Sequence, residues 1–476
     1  MLFIDGAWQP ASSGITFASC NPATGERLGE VADGSGDDAR AAVDAAAHAL
    51  PAWSKLTAYE RSSYLYRAWQ LMTERREELA QLMTAEQGKP LRMARNEVGY
   101  AADFLLWFAE EAKRVYGSTI PSARADQRFM TMLQPVGVAA AITPWNYPIS
   151  MLTRKIAPAL AAGCTIVVKP AEQTPLCAVE TFKVLEEAGL PAGVVNLVTA
   201  ADPVPVAEEL LSNRSVRKVT FTGSTEVGKH IAERAAGQLK RVSLELGGHA
   251  PFIVLRDADP VHAAKGAALV KFLNTGQACI CPNRLFVHAS VAEPFVTELT
   301  ARVSKLQAGD GRQDGVTVGP LIDEAAMAKM ERQVADATDR GAVLAVGGHR
   351  LSSPPLDAGT FYAPTVLTEV SPSMVIYREE TFGPIAPVIV FEDEDDVVAM
   401  ANDTSYGLAS YVYTNDLRRA LAVAEQLDFG MIGVNDINPT SAAVPFGGIK
   451  ESGLGREGAR EGILEYLDQK VVGISV

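Results

Sequence analysis

Two hydrophobic periodicities divide the chain. Between residues 36 and 113, apolar positions recur at helical spacing in runs such as DDARAAVDAAAHALPAW and YERSSYLYRAWQLMTERREELAQLM, which predicts a helical region. QGKP at 87–90 interrupts it, and residues 114–136, with Pro121 and Pro135, read as extended. From Gly137 the texture changes to short apolar runs: GVAAAI, CTIVVK at 164–169, VVNLV at 194–198, RKVTF at 217–221 and VSLEL at 242–246. Each is too short for a helix, and helical stretches separate them. Strands alternating with helices predict crossover units around a parallel sheet. Such sheets bind ligands beyond the carboxyl ends of their strands.

A second alternating series runs from Gly247 to about residue 446. In it IVLRDADP, RLFVHAS and APVIVFED are strand-like and AEPFVTELTARVSKLQ is helical. The tail EGILEYLDQKVVGISV predicts a helix and then a strand with no evident partner, so docking on another segment or another subunit is expected. No repeat, low-complexity tract or long linker is present, which points to a cleft between packed domains as the functional site.

Composition narrows the classes. The 476 residues correspond to two or three domains at roughly 100–200 residues each. The net charge of -14 argues against nucleic acid or an anionic membrane as partner. No basic segment with an apolar core opens the chain, and no run of about 18 apolar residues suggests a spanning helix. The cysteines are five, Cys20, Cys164, Cys177, Cys279 and Cys281. An odd number in a chain this size suits a reducing compartment, most simply the cytoplasm, rather than a disulfide framework.

Six segments at strand or loop edges carry candidate chemistry: TPWNYP at 143–148, VVKPAEQTP at 167–175, FTGSTEVG at 221–228, LELGGHAP at 244–251, NTGQACICPNR at 274–284 and EETFGP at 379–384. Each alone reads as a Gly- or Pro-rich turn. Together, in this order, they resemble the aldehyde dehydrogenase superfamily over essentially the whole chain. The resemblance implies an α/β fold with a doubly wound, parallel-sheet cofactor domain over 1–115 and 136–247. It also implies an α/β catalytic domain over 248–446 and a small β arm, 116–135 with 447–476, that bridges subunits of a homodimer or homotetramer.

The chemistry fits the residues. Oxidising an aldehyde calls for a soft nucleophile that adds to the carbonyl and later leaves, which suits a thiolate. Cys279 stands at the family's nucleophile position; read alone, a free cysteine is more often buried and structural. Asn146 matches the side-chain oxyanion donor, and Glu245, at the end of an apolar strand, matches the base that activates water. Resemblance places the pyrophosphate against Gly223, Ser224, Gly228 and Trp145, and the adenosine ribose on Lys169 and Glu172. Glu380 would hold the nicotinamide ribose, with Thr143, Pro144, Leu246 and Phe382 in the same cofactor site. A carboxylate at Glu172 accepts from ribose hydroxyls and repels a 2′-phosphate, so NAD is expected in preference to NADP. Glu379 reads as structural or solvated.

Within the superfamily, RVYGSTIPS, ISMLTRK, CICPNR, VGPLIDE and PFGGIKESGLGREG are similar to succinate-semialdehyde dehydrogenases. Arg154 matches one of two arginines that grip the substrate carboxylate there; its bland reading is a surface arginine on an amphipathic helix. The second arginine is replaced by Leu273, six residues before Cys279. Thr440, Ser441 and Phe446 would complete the pocket. This leaves oxoglutarate semialdehyde, glutarate semialdehyde and simple aldehydes open as substrates. Cys281 is either a redox partner that switches off Cys279 or a packing residue. No further Cys or His cluster lies near it, so no metal is expected.

Overall fold

The computed structural model describes residues 1–476. The helical N-terminal region resolves into helices Gly36–Trp53, Ala58–Glu74, Arg76–Gln87 and Leu91–Glu111. The break at QGKP follows from Gly88, which closes the third of these at φ +91, a conformation open to glycine.

The apolar runs from Gly137 onward form the parallel centre of an eight-stranded sheet. Its spatial order is Gly453–Leu454, Arg241–Glu245, Val216–Thr222, Val138–Ile142, Thr165–Lys169, Val195–Leu197, Leu2–Ile4 and Ala7–Gln9. Alternate residues bury opposite faces. Val138 and Ala140 pack with Val219, Phe221 and Leu244 on one side, and Ala139 and Ala141 pack with Phe104, Leu152 and Phe182 on the other. Burial on both faces is why these strands read as continuous apolar runs. From Val138–Ile142 the chain winds outward through Thr165–Lys169 and then returns to Val216–Thr222 on the other side. The winding therefore reverses between those neighbours, and a ligand crevice opens at their carboxyl ends.

A second sheet of seven strands has the order Val343–Val346, Thr365–Thr368, Ile385–Phe391, Pro282–His288, Ala250–Val254, Ala409–Tyr413 and Met431–Val434. All neighbours are parallel except the first pair. The C-terminal strand Leu467–Ser475 does find a partner in its own chain. It pairs antiparallel with Gln127–Pro135 from Leu467↔Pro135 to Ser475↔Gln127, and Ser118–Ile120 adds a third strand. The segment before it returns to the first sheet, where Gly453 pairs with Glu245.

Candidate active site

Asn146 lies in the turn between strand Val138–Ile142 and helix Ser150–Ala162, and Glu245 is the last residue of its strand. Both stand at carboxyl ends of the first sheet. Cys279 comes from the opposite side, in the loop that leads into strand Pro282–His288 of the second sheet. The sides meet closely. The Asn146 side-chain amide donates to the Gln277 carbonyl at 3.0 Å. A Cβ on Gly248 would stand 2.5 Å from the Cys279 carbonyl oxygen, so that approach requires glycine. Cys279 is half-buried, while Asn146 and Glu245 are buried.

The cleft is buried and charged. Burial pushes the Cys279 thiol up to about 12; Arg154 opposes this and Glu245 adds to it. Burial also raises the Glu245 carboxyl well above the ordinary range, and the charge of Glu457 raises it further, against Arg154, Lys155 and Arg456. One Glu245 oxygen, Oε2, has no hydrogen-bond partner. A buried, unsatisfied carboxyl of raised pKa beside a thiol is suited to take and give protons. The Cys279 backbone N–H has no acceptor in the protein, and it is free to donate to a developing oxyanion.

Arg154 is 2 % exposed, which rules out the surface reading. Its guanidinium lies 4.0 Å from the Phe446 ring centroid, with Nε 2.8 Å from Glu457 Oε2. Nη2 is buried without a partner. Glu457 also binds Lys155, which donates to Thr222 at 2.7 Å. Burial alone would raise Glu457, but Lys155 and then Arg154 hold it below its ordinary value. The Tyr100 hydroxyl, buried and unpaired, stands near Arg154 and Thr440. Leu273 is half-buried against the core of the second sheet. Ser441 is exposed and its hydroxyl accepts from the Ala443 amide at 3.1 Å. Cys281 is buried, its thiol donating to the Val270 carbonyl at 3.1 Å.

Tyr100, Lys155, Glu457 and the buried pair Lys89–Glu97 escaped sequence reasoning. A signal existed for Lys155. It adjoins Arg154 on a helix whose every residue is buried, and charges in such a helix need internal partners. Lys89 donates to the Asn146 carbonyl at 2.7 Å, while Glu97 accepts from the Ile149 and Ser150 amides. Together they pin the turn that carries Asn146.

The crevice also fits a dinucleotide. Ser224 caps helix Thr225–Ala236, whose N-terminus opens at the reversal point, and Gly223 is held by its amide bond to the Glu245 carbonyl at 3.0 Å. Free amides there suit a pyrophosphate. A Cβ on Gly228 would meet Leu246 at 2.3 Å, so glycine allows that helix to close on the strand end. Lys169 ends its strand with Nζ 2.9 Å from Glu172. Thr143 bonds across to the Lys169 carbonyl at 3.1 Å, Pro144 follows it, and Trp145 packs edge-on to Phe382 at 5.7 Å. Glu380 accepts from the Gly248 amide at 2.9 Å, which ties it to the turn that follows Glu245. Glu379 is exposed and pairs with Arg332 at 2.6 Å. A cleft of about 410 Å³ that Glu172 shares with Ser19, Gln173 and Arg350 is lined by none of Cys279, Asn146 or Glu245.

The model of the aldehyde dehydrogenase family matches residues 8–472. The chain is 52% identical to a glutarate-semialdehyde dehydrogenase of Pseudomonas aeruginosa, over 98% of this chain and 96% of that one. It is 51% identical to a succinate-semialdehyde dehydrogenase [NADP(+)] of Escherichia coli, over 99% and 97%. The crystal structure of a succinate-semialdehyde dehydrogenase from Burkholderia pseudomallei superposes with a TM-score of 0.98 at 48% identity, covering 100% of this chain and 98% of that one. The chain belongs to the aldehyde dehydrogenase family and is an NAD(P)-dependent oxidoreductase acting on the aldehyde group.

Proposed function

We propose that the protein oxidises a short semialdehyde, succinate or glutarate semialdehyde, to the dicarboxylic acid. The observation that carries this is the buried Arg154 guanidinium, with its unpartnered Nη2 close enough to Cys279 to influence the thiol. A fixed cation beside the nucleophile suits a substrate whose far end is a carboxylate. In this reading the Cys279 sulfur bonds to the aldehyde carbon, its proton passes to the Glu245 carboxylate and on to solvent, and the carbonyl oxygen becomes an oxyanion held by the Asn146 amide and the Cys279 N–H. A dinucleotide held by Lys169, Glu172, Ser224 and Glu380 would supply the acceptor for the hydride on that carbon, and Cys279 would then carry the acyl group as a thioester. Glu245 then takes a proton from water, which attacks the thioester, and the acid leaves as the Cys279 thiolate is released.

Leu273 in place of a second arginine favours a tail with one more methylene, and the similarity to a glutarate-semialdehyde dehydrogenase supports that choice. NAD preference rests on the Glu172 carboxylate. Its pairing with Lys169 tempers the repulsion of a 2′-phosphate, which leaves NADP usable. We further propose the division into cofactor domain, catalytic domain and arm described from the sequence, a cytoplasmic location, and a homo-oligomer joined through the arm. Met132 and Val471 expose 52% and 62% of their surface there, which supports a covered arm. The test of substrate class is kcat/KM for succinate semialdehyde, glutarate semialdehyde and butanal on the wild type and on Arg154→Met. Loss of about 10–100-fold for the semialdehydes, with butanal little changed, is expected from a charged hydrogen bond of about 1.5–3 kcal/mol. Equal losses for all three would overturn it.

A further inference from the structure

The loop before Cys279 has an unusual backbone. Asn274 and Thr275 take φ/ψ of 49/42 and 61/27, and Gly276 follows at φ 76. Three consecutive left-handed residues are rare, and a β-branched threonine is poorly suited to that region. Strain of this kind persists only where surrounding bonds over-determine it. Thr275 and Gln277 supply much of that hold. The Thr275 hydroxyl donates to the Gly319 carbonyl at 3.2 Å and accepts from its amide at 3.0 Å. Gln277 accepts from the Ile322 amide at 3.0 Å and donates to the Pro320 carbonyl at 3.2 Å. Both side chains thus stake the turn to the 319–322 segment of the catalytic side.

Asn274 does something different. Its buried side-chain amide donates to the Asn146 carbonyl at 2.9 Å and to the Gln277 carbonyl at 3.3 Å. The Asn146 side chain donates in return to that same Gln277 carbonyl at 3.0 Å. The two asparagines form a reciprocal clasp across the cleft. One N–H of Asn146 is anchored on the nucleophile loop, and its second is left for the oxyanion. Two carbonyl oxygens facing the Asn274 amide fix which end of that amide is nitrogen. Lys89 also holds the Asn146 carbonyl, but from the cofactor side. Asn274 is the side chain that joins that carbonyl to the turn bearing Cys279.

We propose that Asn274 is a positioning residue for the oxyanion site, holding the Asn146 amide in register with the Cys279 N–H through this clasp. The inference rests on Asn146 being the oxyanion donor. Its test is a double-mutant cycle in the full-length enzyme. Asn274→Gly keeps a backbone that tolerates positive φ while removing the amide. Asn274→Asp keeps the shape and sets an acceptor against two carbonyls. Each is combined with Asn146→Ala. The readouts are kcat and KM for succinate semialdehyde, the rate of Cys279 alkylation by iodoacetamide without cofactor, and Tm.

Asn146→Ala is expected to lower kcat by about 10²-fold or more. Asn274→Gly should lower it by about tenfold with KM within about threefold and the alkylation rate unchanged, because the thiol keeps its place while the transition state loses its donor. In the Asn146→Ala background, Asn274→Gly should change kcat by less than about threefold, since the two act as a unit. Full additivity, or a kcat loss matched by an equal loss of alkylation, would reduce Asn274 to a structural role and overturn the proposal. An unchanged kcat in Asn146→Ala would instead overturn the oxyanion reading beneath it. Should Asn274→Gly not fold, Asn274→Asp gives the same cycle.

Discussion

Glu457 sits where two functions meet, and neutralising it makes the sharpest test. Its carboxylate is the like charge that helps hold the Glu245 carboxyl high, after burial itself. In Glu457→Gln that charge is gone. A unit charge about 6–12 Å away, at an effective dielectric of about 20, is worth about 1–3 kcal/mol, or about 1–2 pH units. Arg154 and Lys155 also lose the carboxylate they share and turn to Glu245 as their remaining anion. Both changes favour ionised Glu245, so its pKa falls. Glu245 works as a base only when deprotonated, and the acid limb of thioester hydrolysis therefore moves to lower pH by about 1–2 units. The assay is hydrolysis of an activated ester without cofactor, which acylates Cys279 and reports the deacylation step as a function of pH. Glu245→Gln serves as the control, since it should abolish the limb and lower the plateau by about 10²–10⁴-fold. A limb that stays in place or moves upward in Glu457→Gln would refute the electrostatic account of Glu245. A lower plateau at an unchanged midpoint would refute it equally, because charge removal acts on the midpoint.

Two further outcomes follow from the cofactor and thiol geometry. Glu172→Ser should raise the NADP-to-NAD ratio of kcat/KM by about 10–100-fold, because Lys169 gains freedom to pair with a 2′-phosphate at about 1.5–3 kcal/mol; steady-state kinetics with both cofactors checks this, and an unchanged ratio sinks the assignment. Peroxide should oxidise Cys279 to the sulfenic acid with release of water, and Cys281 should condense with it to a disulfide, releasing a second water, so that a dithiol restores activity. That step breaks the Cys281 bond to the Val270 carbonyl. Cys281→Ser should lose dithiol rescue after prolonged exposure, and equal recovery in both proteins would leave Cys281 a packing residue.

What the sequence made legible follows from range. Strands Val138–Ile142 and Thr165–Lys169 announce themselves because both faces are buried, so their central positions form continuous apolar runs. The hairpin Leu2–Ile4 with Ala7–Gln9 did not, since three residues carry no periodicity. Cys279, Asn146 and Glu245 were proposed from motifs local in sequence. Their supports were not, because each is a pairing of distant segments. Lys155 meets Glu457 302 positions away, and Asn274 meets Asn146 across 128. Arg154 shows the consequence best. In sequence it is a whole cation waiting for a substrate carboxylate. In the fold it is half-engaged by Glu457, which also raises the pKa of the base that finishes the reaction. A substrate carboxylate arriving at Arg154 competes with Glu457 and adds negative charge beside Glu245. Anionic tails should therefore hold the Glu245 proton more tightly than neutral ones, and the recognition of the tail and the timing of deacylation are one electrostatic problem, centred on a residue that no local pattern singled out.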